Sequence, residues 1–203
     1  MVTEGKSDVA VPPPPSAEEI RRTLRLIEPL RKVINPKVYG IANVPARRAL
    51  LVGNHILGGG GFVSRLTEQV REKRGLSYSV YSGFSPGLHA GAFTVGLQTR
   101  PDQAKQAVAV AQEVVQGFVR QGPTEAELTA AKSNLVGGFA LRIDSNRKLL
   151  DNVANIAWNR LPLDYLNTWT RQIERVSAAD VQRAMARVLQ PERMVTVVVG
   201  AAP

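Results

Sequence analysis

Four consecutive glycines, Gly58 to Gly61, run into the helix-like stretch FVSRLTEQVREKR. Free backbone N–H groups at a helix start can hold a phosphate or another anion. This stretch lacks the lysine of a G-x-x-x-x-G-K-[ST] loop and follows a helix, not a strand, so the glycines read as a close helix-to-helix connection. The cations Arg65, Arg71, Lys73 and Arg74 could face nucleic-acid phosphates, yet no aromatic stacking platform accompanies them, and such a series reads as a solvated helix face. The two histidines, His55 and His89, are too far apart for the H-E-x-x-H or H-x-x-E-H zinc spacings and lack their carboxylates, and the chain has no cysteine. Thiolate nucleophiles, disulfides and Cys-ligated zinc are therefore excluded, and a self-contained zinc hydrolase is disfavoured. Ser77, Ser79 and Ser82 have no His and Asp in a recognisable triad arrangement.

The elements that must position these residues follow from periodicity. The first 19 residues include Pro12 to Pro15 and read as a disordered tail. AEEIRRTLRLIEPLRKVI places Ile20, Leu24, Ile27 and Leu30 at helical spacing, interrupted by Pro29, and the extended piece KVYGIANV follows it. Pro45 opens a helix through ARRALLVGNHIL, and Val63, Leu66 and Val70 give the next apolar stripe, which Gly75 should close. SYSVYSGF and GAFTVGLQT alternate around the turn residues SPGLHAG, the signature of an antiparallel hairpin. Helices are expected over 102–120, from the capping box of Thr124 and Glu127, from Ser145, over 164–176, and from Ser177 to Val188. The closing MVTVVVG has the continuous β-branched character of a central strand covered on both faces. Together these elements predict an α+β, two-layer domain over residues 46–203, with a largely antiparallel sheet and helices packed on one face.

Of 203 residues, 44% are hydrophobic, enough for a buried core, and 26 Lys+Arg against 17 Asp+Glu leave a net charge of +9, which favours acidic partners. The N-terminus has no basic start followed by an apolar core, and no run of 18 apolar residues occurs. With no export signal visible the sequence reads as cytoplasmic, or periplasmic if an export segment precedes it, and the compartment itself stays unknown at this level.

Several motifs agree in order and spacing with one family. ILGGGGFVSR from Ile56, REKRGLSYSVYSG from Arg71, GPTEAEL from Gly122 and AKSN from Ala131 are followed by SNR, LPLD, VSAADV and VTVVVG. Over roughly residues 49–200 the chain resembles the C-terminal half-domain of the insulinase/pitrilysin (mitochondrial processing peptidase-like) zinc metallopeptidases. In that family two related α+β half-domains enclose a chamber. One binds zinc through H-x-x-E-H, and the other contributes an Arg and a Tyr seven residues apart.

The resemblance implies that Arg71 holds a peptide carbonyl of the substrate and that Tyr78 donates its hydroxyl to the scissile carbonyl as negative charge develops. The chain itself would carry no metal or cofactor, with zinc expected in an H-x-x-E-H partner subunit or domain, and it would be inactive alone. Residues 20–45 fit the family's pattern poorly, as they look helical where the family has a strand, which reads as a truncated product or one part of a split protein. A catalytically silent interaction or scaffold module is the alternative role, and a nucleic-acid binder a third.

Overall fold

The computed structural model describes Glu18 and residues 44–85, 91–159 and 161–200. The chain divides into two compact units, Met1–Ile34 and Asn35–Pro203, and every element below belongs to the second. The Pro-rich tail, nearly all of the 20–45 segment, His89 and most of the SPGLHAG turn lie outside the described residues.

Helix α1 (Val44–Asn54) widens into a π-helical turn, His55–Gly59, and a 3-10 turn, Gly61–Val63, precedes a second π-helical segment, Thr67–Glu72. The hairpin strands β1 (Ser79–Phe84) and β2 (Phe93–Gln98) pair antiparallel from Ser79 opposite Gln98 to Phe84 opposite Phe93. Five α-helices follow among the described residues: α2 (Ala104–Gln121), α3 (Glu125–Gly137), α4 (Asn146–Trp158), α5 (Tyr165–Glu174) and α6 (Ala178–Val188). The chain is mostly helical around a two-stranded antiparallel sheet, which is the α+β class that the patterning predicts.

Two capping boxes start α3 and α6. Thr124 and Glu127 satisfy each other's backbone N–H groups, as do Ser177 and Asp180, and each pair removes two orphan donors from a helix N-terminus. The core is continuous from α1 (Val52) through the π turn (Leu57) and Leu66 to β1 (Val80), and from there to α2 (Phe118), α3 (Leu135), α5 (Ile173) and α6 (Met185). Helix α1 crosses α6 closely at Gly53, where a Cβ would meet both Met185 Cγ and Val181 Cγ1 at 2.9 Å. Among the described residues no helix is long and apolar enough to cross a membrane.

The closing apolar run departs from its expected state. Met194–Val199 is not part of a strand, and Val197, Val198 and Val199 are 73%, 64% and 91% exposed, so the run is neither central nor doubly covered. The segment rests against α2, where Gln112 Nε2 donates to Thr196 Oγ1 (3.2 Å). The physical reason is the absence of a neighbour: β2 pairs only with β1 among the described residues, and an extended run without an adjacent strand gains no ladder.

Candidate functional site

The glycine run brings the site's two halves together. Gly58 lies so close to β1 that a Cβ there would sit 2.5 Å from Ser82 Oγ and 2.6 Å from its backbone N. Ser82 Oγ donates to Asn54 Oδ1 (2.8 Å), while Asn54 Nδ2 donates back to the Ser82 carbonyl (3.3 Å), which locks α1 to the hairpin. The chain then reverses through Gly61 at φ +64°. Ser64 starts the following helical segment: its hydroxyl donates to Gly61 O (2.9 Å), its carbonyl accepts from Glu68 N (2.9 Å), and its side chain is fully buried.

The second helical segment is wound as a π-helix over Thr67–Glu72, with Lys73 N–H reaching back five residues to Glu68 O (2.9 Å). Such widened turns are rare and often accompany functional sites. Gly75 at φ +59° closes it, as its N–H donates to Arg71 O and Leu76 N–H donates to Val70 O, both at 2.9 Å. A left-handed residue at this point is what glycine supplies without a Cβ penalty. The chain turns at once into the hairpin, where the buried Ser77 hydroxyl lies 2.7 Å from the Gln98 carbonyl and anchors the entry to β1.

This turn places Arg71 beside Tyr78. The Arg71 guanidinium carbon lies 5.2 Å from the Tyr78 ring centroid and 4.9 Å from that of Phe62, so the cation rests against two rings. Cation–π packing of this kind holds an arginine in place while leaving its N–H groups able to donate. Its nearest carboxylate is Glu72, 3.4 Å from Nε, too long for a strong hydrogen bond. Tyr78 is 83% exposed and Phe62 74%, and the Tyr78 hydroxyl has no hydrogen-bond partner among the described residues. A guanidinium packed on two rings and an uncommitted phenol on one exposed surface are hydrogen-bond donors for carbonyl oxygens. The sequence pattern names Arg71 and Tyr78 but misses Phe62, whose only signal is its place nine residues before the arginine.

The other basic residues of the stretch are engaged elsewhere. Arg65 turns inward: Nε and Nη2 donate to Glu127 at 2.5 and 2.7 Å, Nη2 also donates to Gly122 O (3.0 Å), and its guanidinium lies 4.9 Å from the Phe118 centroid. Burial alone would raise the Glu127 pKa. The hydrogen bonds from Arg65 and from the Thr124 backbone and hydroxyl, with the Arg65 charge, prevail and hold it at about 2. Lys73 pairs with Glu68 (2.7 Å), and Arg74 donates to the side chain and carbonyl of Gln69. Arg48, which sequence reasoning passes over, is 1% exposed and lies over the Tyr165 ring at 4.1 Å.

The described residues do not offer zinc a ligand set. Among the described residues no group of three His, Cys, Asp or Glu side chains converges on a point. His55, whose buried Nε2 has no partner, has its pKa lowered first by burial and then by the positive charge of Arg142.

Comparison with known proteins shows the family and the fold. Residues 7–135 match the family model described as the peptidase M16 inactive domain. The chain is 37% identical over 126 residues to the non-peptidase homolog YmxG of Helicobacter pylori, covering 61% of this chain and 28% of that protein. It is 34% identical over 146 residues to an uncharacterized zinc protease of Mycobacterium tuberculosis, covering 72% of this chain and 33% of that one. This chain thus spans about a third of the length of these relatives or less. Among solved structures, the peptidase M16 inactive domain from Pseudomonas fluorescens superposes with a TM-score of 0.69 at 38% identity, over 73% of this chain and 35% of that one. A protease from H. pylori shares the fold with a TM-score of 0.62 at 19% identity, over 74% and 36% of the two chains. With that family model matched over residues 7–135 and the hairpin fold shared with a solved inactive domain, the chain belongs to the peptidase M16 inactive-domain family.

Proposed function

We propose that this chain is the zinc-less half of an M16-type peptidase, which completes the peptide-binding site of a zinc-bearing partner. Arg71 holds a substrate backbone carbonyl, and Tyr78 donates its hydroxyl to the scissile carbonyl as the oxyanion forms. The zinc of the partner supplies the hydrolytic chemistry; this chain binds, orients and stabilises.

The observation that carries the reading is the Arg71–Tyr78 pair. The guanidinium lies against both the Phe62 and the Tyr78 ring, while the phenol is exposed and has no hydrogen-bond partner among the described residues. Donors fixed in advance and aimed at a developing oxyanion typically lower barriers by about 3 kcal/mol. A catalytically silent interaction module is the second reading, favoured by the similarity to a relative named a non-peptidase homolog. Zinc analysis and peptide cleavage, measured on this chain alone and after mixing with an H-x-x-E-H half-domain of the family, separate the two. Cleavage only in the mixture supports the proposal. Stoichiometric zinc with cleavage by the isolated chain overturns it, and a stable but inactive mixture selects the silent module.

A further inference from the structure

Residues of α1, of α6 and of the C-terminal end of α5 surround a cleft of about 720 Å³, a volume in the range of small-molecule sites. Its wall holds four arginines, Arg48, Arg175, Arg183 and Arg187, and among the described residues one carboxylate, Asp180. Ala46, Ala49 and Ala184 give it an apolar floor of short side chains. Arg48 lines the cleft yet is 1% exposed, so it belongs to the depth of the cleft and not to its rim. Asp180 answers only Arg183. Its carboxylate accepts from the Ser177 N–H (3.0 Å) and hydroxyl (2.6 Å) as a helix cap, and Arg183 donates to its other oxygen. Arg48 is satisfied at Nε and Nη1 by two uncharged groups, Gln172 and Tyr165, and its buried Nη2 has no acceptor. A buried guanidinium N–H without an acceptor is costly, and Arg48 borders space that an acceptor could enter. The exposed guanidinium of Arg175 has no partner among the described residues.

We propose that this cleft binds a small molecule through a phosphate group, which accepts from Arg48 and Arg175 while the alanine floor covers an apolar body. Two cations without a carboxylate between them match a dianion better than a single carboxylate, and guanidinium–phosphate hydrogen bonds are among the strong, oriented ones. The apolar floor favours a phosphate ester over the bare ion, because methyl groups offer an ion no hydrogen bonds. The net charge of +9 would attract anions anywhere on the chain, whereas Arg48 supplies a buried cationic donor at this one place. A bound phosphate would offset the desolvation that Arg48 carries in the free chain. The cleft stands apart from the reading of Arg71 and Tyr78, neither of which lines it.

The test is isothermal titration calorimetry of the full chain with phenyl phosphate and with inorganic phosphate, at constant ionic strength so that screening does not change. Phenyl phosphate should bind saturably at one site per chain, at least about tenfold more tightly than inorganic phosphate. Arg48→Met and Arg175→Gln should each weaken its binding by at least about tenfold, since a hydrogen bond to a charged group is lost. Arg100→Gln removes the same charge at an exposed position outside the cleft and should leave the affinity unchanged. Thermal unfolding checks that each variant is folded, and the exposed Arg175→Gln decides if Arg48→Met is not. No saturable binding, as when one of the chain's own carboxylates already meets Arg48, overturns the proposal. An equal loss in Arg100→Gln would mark attraction to the net charge and an adventitious ion only, and equal affinity for inorganic phosphate would show a site that takes no apolar body. Either result also overturns it.

Discussion

The Arg71 guanidinium lies 5.2 Å from the centre of the Tyr78 ring, across a turn that Gly75 closes at φ +59°. The cation and the ring are thus packed against one another on the same surface. Tyr78→Phe keeps the stacking and removes only the hydroxyl. In a complex reconstituted with a zinc-bearing half-domain, turnover should fall by about a hundredfold with assembly unchanged, the loss typical of one oxyanion donor. Steady-state kinetics alongside analytical ultracentrifugation check this, and undiminished turnover removes Tyr78 from the mechanism.

Glu127 should govern the acid limit of stability. Its folded-state pKa of about 2 lies below the ordinary value of 4.5. Its contribution is therefore fully present above about pH 4.5 and is lost as the pH falls toward 2. Because the carboxylate is partly exposed, screening limits the contribution to on the order of 1–2 kcal/mol. Denaturant unfolding of Glu127→Gln should show a gap from the unsubstituted chain at pH 7 that narrows below about pH 4. A gap of constant size across this range would assign the effect to the capping geometry and not to the charge.

The sequence exposes those parts of the fold that are local. Thr124 with Glu127 and Ser177 with Asp180 mark helix starts because the cap is made by neighbours in sequence. The hairpin is equally local, and Gly75 closes the helical segment as its position suggests. What escapes the pattern depends on distant partners. Val195 to Val199 have the composition of a central strand, but a strand needs a neighbour, and none of the described residues supplies one. The π-helical winding at His55–Gly59 and Thr67–Glu72 is invisible to a 3.6-residue period, which continues across both. At the candidate site, spacing and resemblance select Arg71 and Tyr78, whereas Phe62 joins them only because the chain reverses at Gly61.

Two glycines of the same run should fail for different reasons. A Cβ at Gly58 meets Ser82 Oγ, Ser82 N and Leu66 Cδ1 at 2.5, 2.6 and 2.7 Å, and backbone cannot yield as a side-chain tip can. Gly58→Ala should cost on the order of 3 kcal/mol and loosen the hairpin from α1. At Gly61 a Cβ meets nothing within 4 Å, so Gly61→Ala should cost only about 1 kcal/mol, the penalty of its φ of +64°. Thermal unfolding of both variants checks the order, and a Gly61 variant as unstable as the Gly58 one would contradict it.

Among the described residues Arg48 is a buried cation without a carboxylate partner. It is 1% exposed, Nε donates to Gln172 Oε1 (2.9 Å), Nη1 donates to the Tyr165 hydroxyl (2.7 Å), and Nη2 has no partner. Burial is the main cause of its lowered pKa, and Tyr165 only partly offsets it. Its aliphatic stem and its stacking on Tyr165 fill space, whereas its charge carries an uncompensated desolvation cost. Arg48→Met keeps most of the volume and removes the charge, so the variant should be at least as stable as the parent chain. Arg48→Ala leaves a cavity beneath Tyr165 and should lose on the order of 2–4 kcal/mol. Urea unfolding of the pair separates volume from charge. If methionine proves as destabilising as alanine, the hydrogen bonds to Gln172 and Tyr165, and not the packing, hold this part of the core.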